Sequence, residues 1–116
     1  MKNKTMKQSP LEILICIVDK KMCKEATTIL ENNGYYTYLT TMGTGTTAKS
    51  KAGDFFGFGV IEREVIITLL DKESLERIIP ILKTELKLDK PHTGILLTIP
   101  LSSATSELLD AFGIKY

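Results

Sequence analysis

Four short runs of this chain, LEILICIV at 11–18, YYTYLTTM at 35–42, EVIITLL at 64–70 and ILLTIP at 95–100, are aliphatic, aromatic or β-branched at nearly every position. Bounded by proline, aspartate or glycine, runs of this length read as strands. They do not alternate apolar with polar residues, so each calls for cover on both faces of its sheet. This is the strongest constraint in the sequence, because the segments between the strands supply helices for one face only.

Two such helices are legible. Asp19 offers an N-cap, Met22, Ala26, Ile29 and Leu30 recur on one face, and Asn33 with Gly34 gives a stop, which predicts a helix over 20–33. Asp71 opens a second helix whose apolar stripe is Leu75, Ile78, Ile79, Leu82 and Leu86. Pro80 falls inside it, removes one backbone hydrogen bond and predicts a bend over 76–80. Ser106 is the expected cap of a short C-terminal helix carrying Leu108, Leu109 and Phe112.

The order strand, helix, strand, loop, strand, helix, strand is the ferredoxin-like βαββαβ plan of the α+β class: a four-stranded antiparallel sheet with two helices on one face. One domain accounts for the 116 residues. Residues 1–10 are polar and read as a disordered tail ending at Pro10, with a single domain over 11–116. Its other sheet face lacks cover, and association with further copies of the chain is the economical remedy.

Fifteen basic and 14 acidic side chains leave a net charge of +1, so no global field draws the chain to nucleic acid or an anionic membrane. Any anion must be captured locally. Cys16 and Cys23 fall in segments that read as core, which fits a reducing compartment and a cytoplasmic location. The only histidine is His92, in the turn KPHTG at 90–94, and no nucleophile elbow accompanies it, so neither a transition-metal site nor triad catalysis is expected. The reading is a protein that is not an enzyme.

The most informative run is GTGTTAKS at 43–50. Gly43 and Gly45, interleaved with Thr44, Thr46 and Thr47, suit a backbone that turns N–H groups and hydroxyls toward one anion. It approaches the phosphate-loop spacing, but Ala48 stands at the second required glycine. The whole of 43–62 is glycine-rich and reads as a long irregular loop. Within it, Phe55, Phe56 and Phe58 either fold back on the body or anchor another protein, and Lys49, Lys51, Glu62 and Arg63 read as a solvating flank.

Over residues 11–101 the chain resembles the PII signal-transduction family and its PII-like relatives. The likeness rests on LEILICIVD, a helix ending ENNG, a second strand closing on Gly43-Thr44-Gly45, a long loop, and KPHTGILLTIP. It implies a homotrimer with an adenine nucleotide as effector in clefts between subunits. It also implies a T-loop at about 43–63 that signals to a target protein such as a membrane transporter or an enzyme. By position, it puts Thr37 beside the adenine, Gly43 and Gly45 at the loop entry, and Thr93 and Gly94 in a phosphate-cradling turn, with Lys90 and His92 in the same turn. There are departures: Ile95 stands at the family's phosphate-binding lysine, Thr44 at an aromatic and His92 at a glycine, and the C-terminal arginine pair and the modified tyrosine are absent. Lys90 or Lys49 would be the replacement cation. The alternative is a ligand-independent trimeric module that binds its partner through the phenylalanines. A CutA-like metal-associated trimer shares the plan, but one histidine gives it little ligand capacity.

Overall fold

The computed structural model describes residues 6–8, 10–47, 59–90 and 93–112. In chain order the elements are β1 (Met6–Gln8), β2 (Leu11–Asp19), a 3-10 turn (Lys20–Met22), α1 (Cys23–Asn32), β3 (Leu39–Thr47) and β4 (Gly59–Asp71). They continue with α2 (Lys72–Glu85), β5 (Gly94–Pro100), β6 (Ser103–Thr105) and α3 (Ser106–Ala111). The main sheet is antiparallel in the order β3-β4-β2-β5. Sheet order and helix placement make this the expected ferredoxin-like α+β fold.

Leu14, Cys16 and Val18 of β2 and Ile66 and Leu70 of β4 point to the helix side, where they bury against Ala26, Ile29 and Leu30 of α1 and Leu75, Ile78 and Leu82 of α2. The period of two sends Leu11, Ile13, Ile15 and Ile17 to the opposite face. Only one end of that face is covered. There Leu11 and Leu69 bury against Ala104 and Leu109, with Ile13, Leu101 and Phe112 packed around them.

The helix ends follow local chemistry. Asp19 accepts a hydrogen bond from the Lys21 amide at 3.2 Å, and Asp71 caps α2 by accepting from the Ser74 amide at 2.7 Å. α1 closes in a Schellman motif: Gly34 donates to the Glu31 carbonyl, Tyr35 to that of Leu30, and Gly34 takes φ +91°. The same motif closes α2, with Lys87 donating to Thr84, Leu88 to Lys83, and Lys87 holding φ 55°.

Four expectations need correction. The second strand, expected at 35–42, occupies Leu39–Thr47. Tyr35 is consumed by the α1 cap, Tyr38 donates to Glu31 Oε2 at 2.8 Å, and the Thr37 carbonyl accepts from Thr68 Oγ1 at 2.8 Å, so 35–38 cross to the sheet tied to the helix layer and to β4. The loop expected over 43–62 is strand at both ends, since Gly43 pairs with Arg63 and Thr47 with Gly59. The tail expected to be loose contains β1, paired with β6. Finally, Thr105 rather than Ser106 caps α3, accepting from the Leu108 amide at 3.4 Å. α2 runs as one 14-residue helix through Pro80.

Candidate functional site

One end of the sheet gathers most of the residues singled out by sequence. Gly43, Arg63 and Asp19 stand in one row across β3, β4 and β2, and Val18 pairs with Gly94 one residue further in on β5. Thr93 and Lys90 precede β5 at this end, with Thr93 Oγ1 donating to the Lys90 carbonyl at 2.8 Å. The sheet order nevertheless sets Gly43 and Gly94 on opposite edges. Three strand spacings separate them, about 14 Å.

Gly94 has a geometric reason to be glycine. It takes φ +149°, and a Cβ there would lie 2.6 Å from the Ile17 carbonyl oxygen and 3.1 Å from Val18 Cγ1. Gly43 differs: its backbone is ordinary strand, and an added Cβ would meet only Val65 Cγ2 at 3.6 Å. The positive-φ cradle expected there is therefore absent at Gly43, whose backbone belongs to the ladder with Arg63. Thr44, Gly45, Thr46 and Thr47 continue as strand, pairing with Glu62, Ile61, Val60 and Gly59 beyond the end of β2 as a two-stranded ribbon.

Arg63 was missed. Expected as part of a solvating flank, it is 4 % exposed and is the only buried charged residue among those described. Its signal was parity: Arg63, Val65, Ile67 and Leu69 lie on one face of β4, the face turned away from the helices. Its neighbour Glu62 points to the other side and meets Lys20 at 3.6 Å on the surface.

The open part of that face is aliphatic. Leu39, Ile67, Ile15 and Leu97 make one row, and Thr41, Val65, Ile17 and Ile95 the next. Leu39 is 62 % and Ile99 43 % exposed, far more than a side chain of either kind retains in a core. A cavity of about 410 Å³ flanks the outer edge of β5, from Gly94 along Leu96 and Thr98 to Ile79 and Lys83.

Thr37 is not brought to this end. It borders a separate cavity of about 150 Å³ with Tyr36 and Phe112, and the strand from Leu39 to Gly43 alone adds about 13 Å. His92, Lys49, Phe55, Phe56 and Phe58 lie outside the described residues. Among the described residues there is no group of three or more His, Cys, Asp or Glu that could hold a metal ion, and no helix long and apolar enough to cross a membrane. Both cysteines are free thiols. Burial pushes Cys16 up to about 12, with Cys23 nearby adding to it.

No protein-family model matches the chain, and no curated protein matches it by sequence. Solved structures do match by shape. PII from Arabidopsis thaliana, bound to citrate, aligns with TM-score 0.63 at 13% identity, covering 81% of this chain and 77% of its own. CutA from Synechococcus elongatus aligns with TM-score 0.69 at 11% identity over 94% of this chain and 93% of its own. CPII, a nitrogen regulatory PII-like protein from Thiomonas intermedia bound to ADP, AMP and bicarbonate, gives TM-score 0.60 at 15% identity over 87% and 94%. At this identity the likeness is one of fold, and it is the fold that the sheet order and helix layer had already indicated. The chain has a divergent PII-like fold, the ferredoxin-like architecture that PII and CutA proteins share.

Proposed function

We propose that this chain is a non-enzymatic regulator that assembles as a homotrimer. It takes a small phosphorylated effector, an adenine nucleotide, into the clefts between subunits and passes the bound state to a target protein through the segment joining β3 and β4. One observation carries the reading: Gly43 and Gly94, the glycines of the two segments marked for anion binding, share an end of the sheet but sit on opposite edges, about 14 Å apart. A single chain cannot close both around one phosphate, whereas the β3 edge of one subunit and the β5 edge of its neighbour can. The aliphatic open face supplies the reason for copies to meet.

In this arrangement Thr44 and the backbone of the ribbon would contribute from one subunit, and Lys90, Thr93 and Gly94 from the next. Arg63, on the open face beside Gly43, supplies the fixed positive charge that Ile95 does not. That the PII-like neighbour from Thiomonas holds ADP, AMP and bicarbonate supports an anion of this class. Binding changes signalling only through a difference in affinity between shapes of the β3–β4 connection, whose target is a membrane transporter or an enzyme in the cytoplasm. Phe55, Phe56 and Phe58 would then make the contact with that target.

Sedimentation and calorimetry test the two halves separately. The expected results are a particle of three chains and saturable binding of ATP, ADP or AMP that Arg63→Gln weakens at least tenfold. A folded monomer at tens of micromolar, or silence from all three nucleotides at millimolar concentration, overturns the proposal.

A further inference from the structure

We infer a second ligand site on the helix layer, where Arg77, Tyr35 and Ser74 gather hydrogen-bond donors beside an apolar floor: it takes the carboxylate of a short aliphatic acid. A cavity of about 500 Å³ opens there between the end of α1 and the middle of α2, lined by Asn33, Tyr35, Arg77, Ile78 and Ile81. It lies on the side of the sheet away from the open face, so it does not rest on the reading of the sheet end.

The polar groups are arranged as donors. Arg77 Nη2 donates to Tyr35 Oη at 3.3 Å and to Ser74 Oγ at 3.4 Å. A hydroxyl that accepts from a guanidinium keeps its own proton to give elsewhere, so the phenol and the serine both present O–H groups, and the guanidinium retains further N–H groups. Arg77 makes no ion pair with any carboxylate among the described residues. Two hydroxyls hold it in place, and Asp71 and Glu73 favour its charged form without pairing with it, so guanidinium N–H groups remain for a ligand.

Four acceptors near the site are already engaged. Asp71 accepts from the Ser74 amide at 2.7 Å. At the end of α1, the Ile29 carbonyl takes the Asn33 side-chain amide at 2.7 Å, that of Leu30 the Tyr35 amide at 2.9 Å, and that of Glu31 the Gly34 amide at 3.0 Å. Three of the last carbonyls of α1 are thus satisfied, which weakens the partial negative charge an anion would meet there. A bare phosphate would use only the polar rim of a cavity this large, whereas a hydrocarbon tail would also cover the half-buried Ile81.

The test is an amide NMR titration of the full chain with acetate, hexanoate and inorganic phosphate at constant ionic strength. Hexanoate is expected to shift the amides of Asn33, Tyr35 and Arg77 saturably and to bind at least fivefold more tightly than acetate. Arg77→Gln should abolish saturation, Tyr35→Phe should weaken it severalfold, and Ile81→Ser should remove the preference for the longer acid. Arg77→Lys, which keeps the charge and loses the planar fork, should also bind more weakly and guards against a folding defect in Arg77→Gln. Linear, non-saturating shifts with every anion overturn the site. Phosphate equal to hexanoate, or saturation untouched in Arg77→Gln, overturns the assignment to an aliphatic carboxylate on Arg77.

Discussion

Replacing Gly94 with alanine separates what the turn before β5 needs for folding from what it would need for a ligand. The substitution meets two costs. The backbone sits at φ +149°, where an L-residue is strained, and strain of this kind costs about 1–3 kcal/mol. The new methyl would also lie 2.6 Å from the Ile17 carbonyl oxygen, a backbone atom locked into the β2–β5 ladder, and 3.1 Å from Val18 Cγ1. Forcing an extra carbon into packed surroundings costs about 1–3 kcal/mol more. Gly94→Ala should thus lose about 2–6 kcal/mol out of a total expected at about 5–15 kcal/mol. Gly34→Ala is the internal control, because it shares a positive φ of +91° but has nothing within 4 Å of the added carbon. It should lose only about 1–2 kcal/mol. Urea unfolding followed by circular dichroism measures both, with the slope of free energy against denaturant checked for constancy. If Gly94→Ala is within about 0.5 kcal/mol of the parent, or no worse than Gly34→Ala, the clash with β2 is not the reason for glycine here. The typical surface-mutation spread sets that threshold. A ligand role would then be the better explanation of the residue.

Lys87→Gly should raise stability by about 0.5–1 kcal/mol, read from the thermal midpoint, because Lys87 holds the left-handed position of the α2 cap at φ 55° without making that conformation easy. Asp71→Ala should cost about 1 kcal/mol through loss of the α2 cap. The hydrogen bond from the Ser74 amide lowers the Asp71 carboxyl, so its contribution is full above about pH 4 and fades as pH falls through the lower folded value; Asp71→Asn should flatten that acid limb. Cys16 acts at the other extreme. Its thiol is pushed up to about 12 by burial, so the unfolded chain ionises first and stability falls above about pH 8.5. The expected slope is up to about 1.4 kcal/mol per pH unit. The difference between the parent and Cys16→Ala should isolate that slope, and parallel alkaline profiles would refute it.

Much of the fold was legible because its elements carry redundant local signals. β2 is bounded by Pro10 and by Asp19, which both ends the strand and caps the turn into α1, and α2 is opened by Asp71 and patterned by Leu75, Ile78 and Leu82. Where one residue type serves two purposes, the reading slipped. Aromatic residues with high strand propensity at 35–38 serve instead as a helix cap and a tether, since Tyr35 closes α1 and Tyr38 binds Glu31. Gly43 and Gly45 looked like loop, yet a long partner strand with a ladder to offer recruits them along with their β-branched threonine neighbours. Propensity is a local quantity, and the pairing that overrides it comes from another part of the chain.

The candidate site shows the same division in a form that bears on function. Gly94 was singled out from the motif KPHTG, and the geometry gives that glycine a structural reason, so the motif alone does not argue for a ligand. Arg63 was overlooked because a charge beside glycines and phenylalanines reads as surface, yet the strand begins four residues before it and its parity turns it onto the apolar face. A guanidinium turned onto a sheet face of isoleucines and leucines calls for polar partners around it. It stands in the row with Gly43 and Asp19, at the end of the sheet where neighbouring edges would meet. Under the proposed function, the charge that a phosphate would need is found from strand register, not from the glycine motifs that first drew attention to this end of the molecule.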